Sequence, residues 1–291
     1  MSQPILAQAS DGFHYVVKFN NDSRWPNLAF NESAGTELYR ACGLAVPHWE
    51  PLLVTDSFLD ANVNCWMQSE WGSVRPAPGL CFGSRFLGVE GARLLEVLGG
   101  TSFQRVRNRS SFWMAWLIDV CAEHVDNRQA LFLEEADGWL NAFFVDQGHF
   151  FGGPKADQQC DFRASRYLDA RIYGRVTSEQ MAHFLGVARS LDADKIWKRA
   201  QALPDEWKTE SGLRSFANCL SKLSNSDLLL NIADTLVDTI DRSSTRERIQ
   251  MFGDRTTPVA ILRPGIQATG RGPRRESSSY NSRAFGLGSG K

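Results

Sequence analysis

Two carboxylates, Asp126 and Asp146, stand twenty positions apart, each beside an apolar run that reads as a β-strand. The first sits in His124-Val125-Asp126-Asn127-Arg128-Gln129 and leads into Ala130-Leu131-Phe132-Leu133. The second follows Ala142-Phe143-Phe144-Val145 and opens Asp146-Gln147-Gly148-His149. Glu135-Ala136-Asp137-Gly138 between them has the composition of a tight connection, which would bring both carboxylates to one edge of a small sheet. Phosphoryl transfer from a metal nucleotide needs that arrangement. One carboxylate orients and deprotonates the acceptor hydroxyl, and the other holds the magnesium that bridges the phosphates. An ordinary hairpin with solvated acids fits these residues equally well, so the upstream chain decides between the two.

His14-Tyr15-Val16-Val17-Lys18-Phe19 places a lysine inside a β-branched and aromatic strand pattern. Lysine is rarely buried unless paired. Asn31-Glu32 then opens a helical run through Cys42, with Gly43 and Pro47 as stop signals. A strand lysine paired to a helix glutamate positions nucleotide phosphates in kinase-like folds. Taken singly, Lys18 reads as an edge lysine with its head in water, and Glu32 as an acid favoured by the helix dipole. Taken as an ordered set, Lys18, Glu32, Asp126 and Asp146 favour the kinase-like reading.

The ordered segments resemble the HipA-like kinases, in the compact bacterial branch that lacks the toxin's full N-terminal lobe. Ser2-Gln3-Pro4, Asp11-Gly12, residues 15–19, Asn31-Glu32, residues 42–47, Phe82-Gly83-Ser84-Arg85, residues 126–130 and residues 146–154 carry the resemblance, with a weaker echo at 166–169. It implies an α+β, bilobal protein-kinase-like fold. A sheet-rich N-lobe would span 1–86 and a mostly helical C-lobe, with the catalytic and metal loops, 87–250. It implies ATP and Mg2+ as cofactors, and as acceptor a hydroxyl of a protein Ser or Thr, or of a small molecule. Residue by residue, Lys18 would contact the nucleotide phosphates with Glu32 as its ion-pair partner. Asp126 would be the catalytic base and Asp146 the magnesium ligand. Phe82, Gly83, Ser84, Arg85 and Phe86 would lie on the strand leading into a hinge whose backbone binds adenine.

The sequence departs from that pattern in two places. The position five residues after the base, where a metal-binding Asn is usual, holds Leu131; Gln129 is the substitute candidate and Asn127 the reserve, since an amide oxygen can ligate magnesium. The phosphate-covering loop is either minimal, built from Ser2, Gln3 and backbone amides, or the true start lies upstream of Met1. These departures support a rival reading as a pseudokinase, a nucleotide-binding interaction module with little turnover. A metal-dependent hydrolase using His124, Asp126, Asp146 and His149 fits fewer residues. The five histidines form no HxxxH or HxH pair, and neither a G-x-S-x-G elbow nor a GxxxxGK[ST] loop occurs.

The 291 residues, 43% hydrophobic, suffice for a substantial core, and a net charge of −1 provides no global field for nucleic acid or membrane. No apolar run is long enough to span a bilayer and no signal-peptide pattern opens the chain, so the expected compartment is the cytoplasm. Six scattered cysteines without CxxC read as reduced core thiols. Residues 49–54 and 65–70 read as further strands. Residues 112–121 are apolar nearly all round and read as a central buried helix, in which Asp119 calls for a partner. Thr177-Ser178-Glu179-Gln180 is a capping box before a helix with Met181, Phe184, Leu185, Ala188 and Leu191 on one face. Shorter and longer helices follow around Ile196 and from Leu229 to Ile240. Residues 251–291 read as a disordered, solvated basic tail rich in Gly, Ser and Arg, with a weak anion-binding or nucleic-acid patch at Arg271, Arg274 and Arg275 and phosphate acceptance in cis by Ser277, Ser278, Ser279 and Ser282 as the lesser alternatives.

Overall fold

The computed structural model describes residues 4–20, 24–69, 72–88, 92–250 and 261–262. The architecture is α+β: a small sheet-rich N-terminal part leads into a larger, mostly helical part that holds a second sheet. Strands β1 (Ile5–Gln8), β2 (His14–Lys18), β3 (Trp49–Val54) and β6 (Gly79–Arg85) form an antiparallel sheet in the order β1-β2-β6-β3. A two-stranded ribbon of β4 (Met67–Ser69) and β5 (Gly72–Val74) stands beside it. Alternation along β2 sends Tyr15 and Val17 into a small core with Val54, Leu59 and Cys81. The same alternation leaves Val16 and Lys18 on the opposite face.

Helix α1 (Leu28–Ala41) is the spine between the two parts. Most of its residues are buried, because it packs the sheet on one side and helices on the other. It begins earlier than the sequence suggests, at Leu28. Asn27, the residue before it, is fully buried, and its amide bonds to Pro154 O at 2.9 Å, so tertiary contact sets the start. It ends as expected, with Gly43 at φ +73 and its amide on Arg40 O. Residues 56–61 form a short helix α2 (Asp56–Ala61) capped by Thr55, a second helix in the N-terminal part that hydrophobic periodicity does not reveal.

The larger part is organised around α3 (Ser111–Cys121), whose apolar face extends all round it. Phe112, Ala115, Trp116 and Ile118 are fully enclosed, and Phe112 packs edge-on or stacked against Phe132, Phe144, Tyr167 and Tyr173. Each of the large side chains among them contributes roughly 1.5–3 kcal/mol of burial. Strands β7 (Arg93–Leu95), β8 (Gln129–Glu134), β9 (Leu140–Val145) and β10 (Ile261–Leu262) form the second antiparallel sheet, in the order β10-β7-β8-β9. The β8–β9 hairpin closes through Glu135 to Gly138, as the sequence predicts. Its outer edge is not left open. Asn108 acts as a surrogate strand, donating to Ala142 O at 2.8 Å and accepting from Ala142 N at 2.9 Å, and Phe144 N bonds Ala45 O.

Helices α4 (Ser178–Arg189), α5 (Ala193–Gln201), α6 (Glu210–Ser224) and α7 (Ser226–Gln250) complete the core. The Thr177 capping box is formed in full, and Phe184, Leu185 and Ala188 are buried. Apart from Ile261–Leu262, the tail from 251 to 291, with its arginine and serine candidates, lies outside the described residues. Among the described residues, no helix is long and apolar enough to cross a membrane, and all six cysteines are free thiols, five of them buried.

Candidate functional site

The site grows from three elements that meet below the first sheet: the end of β2, the first half of α1, and the turn after β9. The Lys18 ammonium reaches both carboxylates, pairing with Glu32 Oε1 and with Asp146 Oδ1 at 2.6 Å. Glu32 Oε2 accepts the Gln147 amide at 3.1 Å, so the helix glutamate grips the backbone just after Asp146. Gln129, the first residue of β8, donates from Nε2 to Asp146 Oδ2 at 2.8 Å. Of the ordered set, Lys18, Glu32 and Asp146 meet at one point, joined there by Gln129, while Asp126 does not line the cleft.

One ammonium serves two acids, and their titration divides accordingly. Burial alone would lower the Lys18 pKa, but the attraction of Asp146 and then of Glu32 outweighs it and holds the lysine charged. Burial pushes the Glu32 carboxyl upward against the pull of Lys18, since Glu32 is enclosed. Burial acts on Asp146 in the same sense, but Lys18 dominates there and holds its carboxyl below the usual carboxylate range. Asp146 is therefore the anion, and the burden of desolvation falls on Glu32.

The backbone at Asp146 is left-handed, at φ +63, a conformation that disfavours an L-residue by about 1–2 kcal/mol. It is held from both sides. Arg128 Nη1 donates to Val145 O at 2.8 Å before the turn, and the Gln147 amide bonds Glu32 after it. Further along, Asn31 Nδ2 faces the carbonyls of Gly148, Phe150 and Gly153 at 3.1, 2.7 and 3.1 Å, fastening the loop to α1. The approach is close enough that any side chain there would displace α1 side chains. A Cβ on Gly148 would fall 2.6 Å from Leu28 Cδ1 and 2.7 Å from Glu32 Oε1.

A cleft of about 180 Å3 opens above these groups. Val16, Phe82, Leu131 and Val145 supply apolar walls, and Lys18, Gln129 and Asp146 the polar end. Ser84, Arg85 and Phe86 line it where β6 runs out, with Arg85 seated over the Phe13 ring at 3.4 Å. Gly83 points away, as alternation demands: a Cβ there would lie 2.3 Å from Leu52 Cδ1. The Phe86 amide is engaged by His14 O, whereas the amide of Leu87, the next cleft residue, has no backbone partner among the described residues. Ser2 and Gln3 lie outside the described residues, but Pro4 lines the cleft.

Asp126 is placed differently. It is half-buried in the loop before β8, its Oδ1 accepts the Asn127 amide at 2.7 Å, and neither Asp126 nor Asn127 lines the cleft. Its loop is tied to the Asp146 turn through Val125 N and His149 O at 3.0 Å. Leu131 does line the cleft, so no amide from that position is available to a metal. His124 is enclosed against Arg128, and burial pushes its pKa well down, so it is a neutral internal brace.

Sequence reasoning missed Arg128. It is buried and forks onto Asp119 with Nε to Oδ2 and Nη2 to Oδ1, both at 2.9 Å, so it is the partner Asp119 required. The signal was present: Arg128, Ala130 and Phe132 share the inward face of one strand pattern, and an inward arginine needs an acid.

The oxygen donors of Asp146 and Gln129 suit a hard divalent cation, the glutamine amide being free to present its oxygen after a flip. The apolar walls suit a flat heterocycle, and Lys18 a phosphate.

No protein-family model matches the chain, and no curated protein matches it. Among solved structures, the chain is similar to the Helicobacter pylori proinflammatory kinase CtkA, with 15% identity over 81% of this chain and 92% of that one and a TM-score of 0.49. A likeness of that degree says nothing about chemistry, which rests on the residues of the site.

Proposed function

We propose that the chain is an ATP- and Mg2+-dependent phosphotransferase that passes the terminal phosphoryl group to a hydroxyl, in the manner of HipA-like kinases. The observation that carries this reading is the meeting of Lys18 with both Glu32 and Asp146 at the polar end of an apolar-walled cleft. A half-buried lysine paired to two carboxylates is an expensive arrangement to maintain without a ligand to serve. Lys18 holds a phosphate oxygen, and Glu32 fixes the ammonium so that little reorganisation is needed. Asp146 and Gln129 are the residues that would hold magnesium, which when bound neutralises charge on the phosphates. Asp126 accepts the proton of an acceptor hydroxyl that enters beside the cleft rather than within it, in keeping with its position outside the nucleotide walls. A protein Ser or Thr is the proposed acceptor, and the cytoplasm the proposed compartment.

Leu131 on the cleft wall favours a second reading, a nucleotide-binding module with little turnover, because it removes one expected metal contact. Incubation with gamma-labelled ATP and Mg2+, alone and with cell extract, separates the two. Label on this chain or on an extract protein, lost in Asp126→Asn and in Asp146→Ala, supports the transferase. Binding of ATP without label transfer supports the module.

A further inference from the structure

Arg128 touches more of the machinery than any contact with ligand would require. Its guanidinium forks onto Asp119 of α3, and a third donor, Nη1, grips Val145 O, the carbonyl immediately before the left-handed Asp146. Its own backbone amide bonds Arg166 O at 3.2 Å, which anchors the segment after Asp126. The Tyr39 hydroxyl of α1 donates to the same Asp119 carboxylate, and the guanidinium carbon lies 5.1 Å from both the Tyr39 and the Phe150 ring centroids. One buried side chain therefore connects the Asp126 loop, the Asp146 turn, the central helix and the helix that carries Glu32.

We propose that Arg128 is a positioning residue for phosphoryl transfer, holding the Asp146 turn in its left-handed conformation and fixing its register against the Asp126 loop. The proposal rests on the transferase reading for its kinetic part and on geometry alone for its conformational part. Glu32 holds the peptide after Asp146, and Arg128 holds the one before it. With the second grip gone, the turn is free to relax toward ordinary strand geometry, and the carboxylate swings away from Lys18 and Gln129. Lysine cannot substitute, because a single ammonium does not provide a planar fork to Asp119 together with a third donor aimed at Val145 O.

Two variants test this. Arg128→Lys keeps the charge, and the double variant Arg128→Met with Asp119→Leu removes the buried pair together, which avoids stranding a carboxylate in the core. Each is examined by hydrogen exchange of residues 145–151 against the α4–α6 helices, by kcat, and by ATP affinity in EDTA and in Mg2+. The expected result is exchange raised about tenfold or more in 145–151 with α4–α6 unchanged. Alongside it, kcat should fall about 30-fold or more, with ATP affinity in EDTA within about threefold of the parent and its gain from Mg2+ reduced. Local exchange and kcat both within about threefold of the parent overturn the proposal. Uniformly raised exchange in both variants also overturns it, assigning Arg128 to global stability alone. A parent protein without transferase activity would refute the kinetic reading, and the exchange measurement would still decide the conformational one.

Discussion

The shared lysine makes a sharp prediction about two substitutions that look equally disruptive. Lys18→Met removes the cation that stands between two carboxylates, whose side chains are 1% and 26% exposed for Glu32 and Asp146. Breaking a buried pair by deleting one member typically destabilises by about 3–5 kcal/mol, because a charge is left without compensation. Glu32→Gln is different. The amide oxygen can still accept the Gln147 amide at the loss of the Lys18 contact, Lys18 retains Asp146 at 2.6 Å, and the carboxyl that burial penalises is gone. Its effect on stability should lie within about 1 kcal/mol of zero. Urea unfolding at neutral pH, with midpoint and slope fitted for each variant, measures the difference. Both variants should lose nucleotide-dependent activity, since the ammonium is either absent or less firmly held. Equal destabilisation by the two substitutions would refute the division of charge described for the site.

Three further outcomes follow from the same geometry. Glu32 has a folded pKa raised from 4.5 to about 7, so its contribution to stability is fully present below 4.5 and is lost as pH rises through about 7. Unfolding measured from pH 5 to 8 should therefore show a downward component in the parent that Glu32→Gln removes; parallel profiles would contradict the shift. Gly148→Ala should destabilise by roughly 1–3 kcal/mol through overpacking and weaken nucleotide binding, because the new Cβ meets Leu28 and the Glu32 carboxylate; unchanged thermal unfolding and binding would show that α1 yields freely. Asp126→Asn should leave ATP affinity unchanged in titration calorimetry while abolishing transfer, as befits a residue outside the cleft; retained transfer would remove Asp126 from the role of base.

Much of this arrangement is legible in the sequence because the relevant signals are local. The β8–β9 hairpin, the buried α3, the Thr177 capping box and the Lys18 strand each follow from periodicity or turn chemistry within a few residues. What the sequence hides is set by contacts between distant segments. The start of α1 depends on Pro154, more than a hundred residues away, and no cap at Asn27 announces it. Arg128 is marked by its inward register with Ala130 and Phe132, but no spacing rule names Asp119, across the core, as its partner. The placement of Asp126 outside the cleft depends on how the loop is pinned by His149 and Arg166, which no spacing rule conveys.

The most direct test of the central claim, that Lys18, Glu32 and Asp146 build a metal-nucleotide site, is titration calorimetry of ATP in Mg2+ and in EDTA with the parent, Lys18→Met and Asp146→Ala. The account predicts binding by the parent that is strengthened by Mg2+, binding by Asp146→Ala that no longer responds to Mg2+, and sharply weakened binding by Lys18→Met in both conditions. Binding unaffected by either substitution, or no binding of ATP by the folded parent, would contradict it.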